Sequence, residues 1–323
     1  MKNLLGIDIG GTKCAVVYGL VSNDNIEIVD KIRFATLDCK ATLDKLVEAV
    51  DEMMKRHQLT KDNTEAIGIS CGGPLDSTKG VIMSPPNLPG WDNVPVCDIF
   101  SSRFSIPTVL ENDANACALA EFYWGAGKGS QNMVFLTFGT GLGAGIIING
   151  KLYSGSNGNA GEVGHIRLSD FGPVGFAKAG SFEGFCSGGG IAQLAAMRIK
   201  EQAQLGQQTF FQRPLSELNT LTTKDVAEAA AQGDELAIDI FNTSAEYLGK
   251  GLSVIIDILN PQVIVIGSVF ARAEKFFRKG MEKIISQEAL SSSAQICSIR
   301  PAQLDEKIGD YAALSLAMSY SNN

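Results

Sequence analysis

The stretch Leu4-Leu5-Gly6-Ile7-Asp8-Ile9-Gly10-Gly11-Thr12-Lys13 constrains this chain more than any other. Its apolar run reads as a buried strand, its paired glycines as a tight turn, and a second strand begins near Cys14. A strand that delivers one carboxylate and then at once offers two glycines and a threonine suits phosphate chemistry. The carboxylate suits a magnesium ion or its waters. The glycines let backbone N–H groups approach a phosphate closely. Taken alone, the stretch fits an ordinary glycine hairpin with a surface aspartate equally well.

The pattern returns near the middle of the chain. Met133–Phe138 reads as a strand, Gly139-Thr140-Gly141-Leu142-Gly143-Ala144-Gly145 as a glycine turn, and Ile146–Asn149 as the next strand. The two halves therefore read as an internal structural repeat, whose hairpins would clamp phosphates from opposite sides of a cleft. Gly125-Ala126-Gly127-Lys128-Gly129 is a loop of a different kind. It lacks the G-x-x-x-x-G-K-[ST] spacing of a Walker A loop.

At 323 residues the chain is long enough for two domains. Hydrophobic residues make up 45% and charged residues 19%, the balance of a soluble globular protein. The net charge of -8, with no dense Lys/Arg run, disfavours nucleic acid or an anionic membrane as a partner. Asp8 interrupts the short apolar start, so no signal-peptide core is evident. Asp257, Asn260 and Pro261 break the apolar run Leu252–Val269, so it is not a membrane span. The seven cysteines are scattered, odd in number and mostly set in apolar runs. They read as reduced thiols of a cytoplasmic protein rather than as a disulfide framework.

Asn3–Ile9, Lys13–Leu20 and Ile26–Phe34 read as an antiparallel meander with a turn at Ser22-Asn23-Asp24-Asn25. Apolar residues at helical spacing predict a helix over Thr42–Arg56, with His57 placed to complement its dipole. Ala66–Cys71 is a strand running into Gly72-Gly73-Pro74. Three prolines stiffen the loop Ser84–Trp91 and hold Asn87, which offers a donor and an acceptor as a sugar hydroxyl requires; a turn-forming asparagine fits as well. Pro107–Glu111 is a strand that ends in Glu111-Asn112-Asp113, where an alanine-rich helix begins. Asp113 fits both a helix cap and a general base at the carboxyl end of a strand.

Further along, Glu162 and His165 lie three apart among glycines, and the glycine-rich, irregular segment Phe171–Ser187 contains Glu183. Helices are expected at Ile191–Gln202, at Thr223–Gln232 and at Leu236–Leu259, where Asn260-Pro261 stops the last. Gln262–Ile266 reads as a buried strand ending in Gly267-Ser268, a place where an adenine or ribose, or simply a tight turn, would fit. Ala313–Tyr320 closes the chain as a small-residue helix.

Taken together, Asp8-Ile9-Gly10-Gly11-Thr12-Lys13, Glu111-Asn112-Asp113-Ala114-Asn115, Gly139-Thr140-Gly141-Leu142-Gly143, Gly161-Glu162-Val163-Gly164-His165 and the strand Asn260–Gly267 strongly resemble the ROK family of sugar kinases and sugar-responsive repressors. The resemblance covers essentially the whole chain. It implies an α/β, actin/hexokinase-like (RNase H-like) two-domain fold with an interdomain active-site cleft. The smaller domain is expected at residues 1–114 plus a C-terminal helix at about 308–323, and the larger at 115–307. The resemblance implies an ATP-dependent kinase acting on a hexose hydroxyl, the 6-hydroxyl of glucose first. N-acetylhexosamine, fructose and allose are the alternatives.

By the same resemblance Asp113 is the catalytic base. Asn87, Asn112, Asp113, Glu162, His165 and Glu183 are the sugar contacts. Asp8, Gly10, Gly11, Thr12, Lys13, Gly139, Thr140, Gly141 and Gly267 line the ATP and phosphate side, with Asp8 near Mg-ATP. ATP and Mg²⁺ are the expected cofactors and a homodimer the expected assembly. A repressor would carry a DNA-binding domain ahead of the first glycine loop, which here begins within ten residues of Met1. A non-catalytic sugar binder is the remaining alternative.

One departure stands out. Where family members carry three cysteines that bind zinc together with the histidine, this chain has Val174, Phe176 and Ser181. A structural zinc needs four protein ligands, so no zinc is predicted. Apolar packing from Val174, Phe176 and Phe182 is expected to fill the space, leaving His165 as a sugar contact only.

Overall fold

The computed structural model describes residues 1–22, 25–207, 214–304 and 307–321. The chain opens with β1 (Lys2–Ile9), β2 (Lys13–Ser22), β3 (Asn25–Ala35), α1 (Cys39–Arg56), β4 (Thr64–Cys71), β5 (Leu75–Asp76), β6 (Val81–Ile82), α2 (Val96–Phe104), β7 (Thr108–Asn112) and α3 (Asp113–Trp124). It continues with β8 (Met133–Phe138), β9 (Leu142–Ile148), β10 (Lys151–Leu152), β11 (Val174–Gly175), β12 (Lys178–Ala179), α4 (Phe182–Phe185), α5 (Gly188–Gln204), α6 (Thr223–Ala231) and α7 (Glu235–Leu259). It ends with β13 (Val263–Ile266), α8 (Val269–Glu288), α9 (Ser291–Ile296), β14 (Ser298–Pro301) and α10 (Ile308–Ser321).

Two compact units result. The first gathers Met1–Gln131, Gly145–Ala160 and Gln303–Asn323, and the second Asn132–Ala144 and Gly161–Ala302. Residues 115–131 and 145–160, expected in the larger domain, cluster with the first unit.

The first sheet has the order β3-β2-β1-β4-β7. β1, β2 and β3 form the expected antiparallel meander, and β4 and β7 then add in parallel. Of the turn expected after β2, Asn23 and Asp24 lie outside the described residues. One face of the sheet packs Leu5, Ile7, Ile9 and Val16 with Leu46, Val50 and Met53 of α1. Asp38 caps α1 by accepting from the Ala41 N–H. The other face receives α10. Its small residues come so close that a Cβ at Gly6 would meet Ala313 Cβ at 2.9 Å, and one at Gly68 would meet Ala313 O at 2.1 Å. Glycine inside these strands is therefore a packing requirement.

The second sheet has the order β10-β9-β8-β13-β14. β13 is parallel to both β8 and β14, so each sheet has a glycine hairpin beside two parallel strands. In the second unit α7 and α8 supply much of a core around Phe182, Phe241, Leu248, Leu252, Phe270 and Phe277. α7 stops at Asn260, whose left-handed backbone ends the helix as the Asn-Pro pair predicts. The sequence reading leaves α2, α8, α9 and β14 unassigned. It also leaves Phe171–Ser187 irregular, although this segment contains the β11–β12 hairpin and α4.

Two local expectations are corrected. Asp113 is not the cap of α3: Asn112 is, accepting from the Ala114 N–H at 2.9 Å, and Asp113 is the first helical residue. Asparagine at the last strand position has the extended backbone that a cap requires, and this frees Asp113 to sit in the first turn. Likewise, Val174 and Phe176 do not fill the space expected for them, being 45% and 74% exposed. The β11–β12 turn puts Phe176 and Ala177 at positive φ and carries the Phe176 side chain outward. Only Phe182 is buried there. Phe176 does touch His165, edge to face, at 4.9 Å between ring centroids.

Candidate active site

Within the first unit, Asp8, Gly10–Lys13, Asn87, Asn112 and Asp113 lie at or near the carboxyl ends of the parallel strands β1, β4 and β7, where open α/β sheets place their ligands. Register sets one row: Asp8 stands opposite Ser70, and Ser70 opposite Glu111. The glycine turn closes through a hydrogen bond from the Gly10 N–H to Lys13 O at 3.1 Å. Thr36 adds its hydroxyl to Gly10 O at 2.6 Å. Gly11, Thr12 and Lys13 are exposed. A Cβ at Gly11 would lie 2.5 Å from Asn87 O, and those at Gly72 and Gly73 would lie 3.6 Å from Asn87 Nδ2 and 3.4 Å from Asn112 Nδ2. The turn, the proline-stiffened loop and the β7 end thus converge through glycines. Trp91 of that loop belongs to the core.

The electrostatics of this corner are unusual. Burial, followed by the nearby carboxylates of Asp310 and Asp113, pushes the Asp8 pKa up to about 6, while Lys31 and Lys13 pull it down. Lys31 Nζ is itself engaged with Asp310 at 2.5 Å. Asp113 is exposed, and one of its oxygens accepts from the Ala114 N–H at 2.8 Å. Burial also raises the thiols of Cys14 and Cys71, the latter to about 12, so they stay protonated and are poor nucleophiles.

Within the second unit, Gly139–Gly141, Glu162, His165 and Glu183 gather at the start of β9, and Gly267 lies beside β8. The Ala144 N–H donates to Gly161 O at 2.9 Å, and Gly161 has φ +97° with no room for a side chain, since its Cβ would lie 2.0 Å from Ala144 O. Gly164 packs in the same way on Leu142 O. Glu162 and His165 flank it, with Oε2 and Nε2 3.9 Å apart. Glu183 reaches the glycine turn itself, where its Oε2 accepts from the Leu142 N–H at 2.9 Å. This contact joins a residue assigned to sugar with the loop assigned to phosphate, and sequence spacing carries no signal of it. Gly188 and Gly189, at the start of α5, donate to Gly139 O at 2.7 Å and Thr140 O at 3.3 Å. Gly267 follows β13 and donates to Leu136 O at 3.0 Å, and its neighbour Ser268 has φ +55°.

Among the described residues no group of three or more His, Cys, Asp or Glu side chains is arranged to hold a metal ion. No helix among them is long and apolar enough to cross a membrane.

The two sheets match in order, each with a glycine hairpin beside parallel strands, so the fold is of a duplicated α/β class. Residues 4–319 match the ROK family, and this chain belongs to it. It is 32% identical over 310 residues to a glucokinase of Halalkalibacterium halodurans, covering 94% of this chain and 92% of that one. It is 26% identical over 324 residues to a xylose repressor of Caldicellulosiruptor bescii, covering 98% of this chain and 78% of the other. Among solved structures, the ROK hexokinase of Thermus thermophilus aligns with a TM-score of 0.80 at 26% identity, covering 99% of this chain and 100% of that one. A ROK glucokinase of Streptomyces griseus in complex with glucose and AMPPNP aligns with a TM-score of 0.72 at 30% identity, covering 98% and 99%. The fold is the actin/hexokinase-like one.

Proposed function

We propose that this chain is an ATP-dependent sugar kinase that transfers the γ-phosphate to a hexose hydroxyl, the 6-hydroxyl of glucose first, with Asp113 as general base. The observation that carries this reading is the exposed Asp113 carboxylate at the β7–α3 junction, in the same corner as Asp8, the first glycine turn and the amides of Asn87 and Asn112. The glucokinase relatives, one with glucose and AMPPNP bound, support it.

A sugar hydroxyl is a weak acid, so Asp113 accepts its proton as the new oxygen–phosphorus bond forms. Asn87 and Asn112, with Glu162, His165 and Glu183 of the second unit, are the proposed sugar contacts. The N–H groups of Gly10–Thr12 and of Gly139–Gly141 are the proposed phosphate donors, with Lys13 on the same side and Gly267 toward the adenosine. Asp8, whose neighbours crowd negative charge around it, fits a nearby cation. A magnesium ion carried with ATP would supply charge neutralisation on the phosphates. Val174, Phe176 and Ser181 offer no thiolate beside His165, so the site is proposed to work without zinc. The protein is proposed to be a cytoplasmic homodimer.

The test is ADP release measured across glucose, N-acetylhexosamines, fructose and allose. Turnover on one of these sugars, with ATP hydrolysis low in its absence, is the expected result. Asp113→Asn should retain sugar binding and lose about a hundredfold or more in turnover; near-normal turnover removes Asp113 from the role. The repressor relative favours a second reading, a sugar sensor, in which the wild-type chain binds sugar and releases no ADP.

A further inference from the structure

Glu111 ends the row that begins at Asp8, yet it is only 7% exposed and does not face solvent as Asp113 does. Its Oε1 accepts from the Asn112 N–H at 2.8 Å, from Asn115 Nδ2 at 3.1 Å and from Ser77 Oγ at 3.1 Å. Its Oε2 accepts from Ser154 Oγ at 3.3 Å. The four donors come from four places: the backbone at Asn112, the first turn of α3, the segment after β5 and the segment after β10. All belong to the first unit. One buried carboxylate therefore fixes the short piece of chain that presents Asn112 and Asp113. The opposite side of that turn is closed by Gly145, whose Cβ would lie 2.7 Å from Ala114 O and 3.0 Å from Asn115 Cα.

We infer that Glu111 is a positioning residue for the phosphoryl transfer: it holds the β7–α3 junction so that Asp113 meets the sugar hydroxyl in reacting geometry. The inference rests on the reading of Asp113 as general base. A misplacement of about 1 Å in such a group lowers turnover about a hundredfold. The same helix provides a control. Glu121, at the other end of α3, is also buried and accepts from the backbone N–H groups of Ala126, Gln303 and Leu304 at 2.7, 3.0 and 3.0 Å. It braces the fold without touching the junction.

Geometry also separates position from charge. In Glu111→Gln the amide oxygen takes the place of Oε1 and keeps its three donors, while the Ser154 hydroxyl turns to accept from the amide NH₂. Glu111→Ala leaves all four donors without their acceptor. The experiment measures kcat, the KM values for sugar and ATP, and hydrogen exchange across residues 108–116 in Glu111→Ala, Glu111→Gln and Glu121→Gln. Expected for Glu111→Ala are a kcat loss of about thirtyfold or more, an ATP KM near wild type and faster exchange at the junction. Glu111→Gln should recover kcat to within about threefold of wild type, and Glu121→Gln should lower the melting temperature with kcat unchanged.

Should Glu111→Ala not fold, Ser77→Ala/Ser154→Ala removes the two loop tethers and should lower kcat about three- to tenfold. Wild-type kcat in every variant that folds overturns the inference, as does a Glu111→Gln as damaged as Glu111→Ala. A wild-type protein that phosphorylates no sugar overturns the functional reading. The positioning role falls with it, because it rests on Asp113 as general base, and faster exchange in Glu111→Ala then shows only that Glu111 holds the junction.

Discussion

The two glycine hairpins occupy equivalent places in sheets of matching order, yet they are held in opposite ways. In the first, the penultimate residue of β1 is Asp8, and burial beside Asp310 and Asp113 gives it a pKa of about 6. In the second, the penultimate residue of β8 is Thr137, which accepts from the Gly143 N–H at 3.0 Å and ties the turn to its own strand. The acid that touches the second turn, Glu183, arrives from a separate segment. The first hairpin thus stores unfavourable charge on its own strand, whereas the second has no acid on its strand and is held by Thr137 and by partners from outside it, Glu183 and the start of α5. A shared strand order fixes where a turn lies. The residue one step before it decides whether the turn is a charged working surface or a rigid frame.

Asp8→Asn tests this contrast most severely. It should lower turnover by about a hundredfold or more if the carboxylate has its proposed role of organising charge at the phosphates. It should also stabilise the ligand-free protein. The folded pKa of about 6 lies above the ordinary aspartate value of 3.8, so between those values the native state binds more protons than the unfolded chain. Stability from this group therefore rises as pH falls through about 6 toward 4, and above pH 6 the full penalty of a buried charge applies. Asparagine removes that penalty. Denaturant titrations should show Asp8→Asn more stable by roughly 1–3 kcal/mol at pH 8 and nearly equal near pH 4. Equal stability at both pH values would mean that Asp8 is no more burdened than Thr137.

Gly11→Ala comes next. Its Cβ would stand 2.5 Å from a backbone oxygen, Asn87 O, which has no freedom to rotate away. At Gly141 the obstacle, 2.7 Å away, is the far end of the Glu183 side chain, and that can swing. Gly11→Ala should cost roughly 1–3 kcal/mol in thermal or denaturant unfolding and raise the sugar KM, because Asn87, the proposed sugar contact, moves with it. Gly141→Ala should unfold close to wild type. The reverse order would show the second turn to be the more tightly enclosed.

These differences explain what the sequence made legible. Periodicity and glycine punctuation placed β1, β2, β8, β9, α1, α7 and β13 because each has an uninterrupted pattern bounded by Gly, Pro, Asn or a capping residue. The residues that converge on the two turns also stand in recognisable runs. Long-range satisfaction was not visible: the Glu183–Leu142 contact joins residues 41 apart and the Glu111–Ser154 contact residues 43 apart, and no local spacing records either. α8 carries a legible signal of its own, since Phe270, Phe277, Met281 and Ile285 recur at helical spacing and are buried. Val174 and Phe176 are apolar yet exposed, so hydrophobicity alone carries no burial signal in this segment. The β11–β12 hairpin turns at Phe176 and Ala177, both at positive φ and both exposed, and Val174 sits exposed on its first strand.

The smallest expected effect belongs to the frame itself. Thr137→Val keeps the shape of the side chain and removes the oxygen that accepts from the Gly143 N–H. A backbone donor that loses its partner costs about 1–3 kcal/mol when buried. Gly143 is only half-buried, so water can replace part of that bond and the loss should fall at about 1 kcal/mol. If the turn is a rigid frame for phosphate, the ATP KM should rise severalfold while the sugar KM and the pH dependence of stability stay as in wild type. A pH-dependent loss would place Thr137 within the charge network of Asp8 and abolish the distinction between the two hairpins. An unchanged ATP KM would show that the Gly188 and Gly189 N–H groups, bonded to Gly139 O and Thr140 O, hold the second turn without help from its own strand.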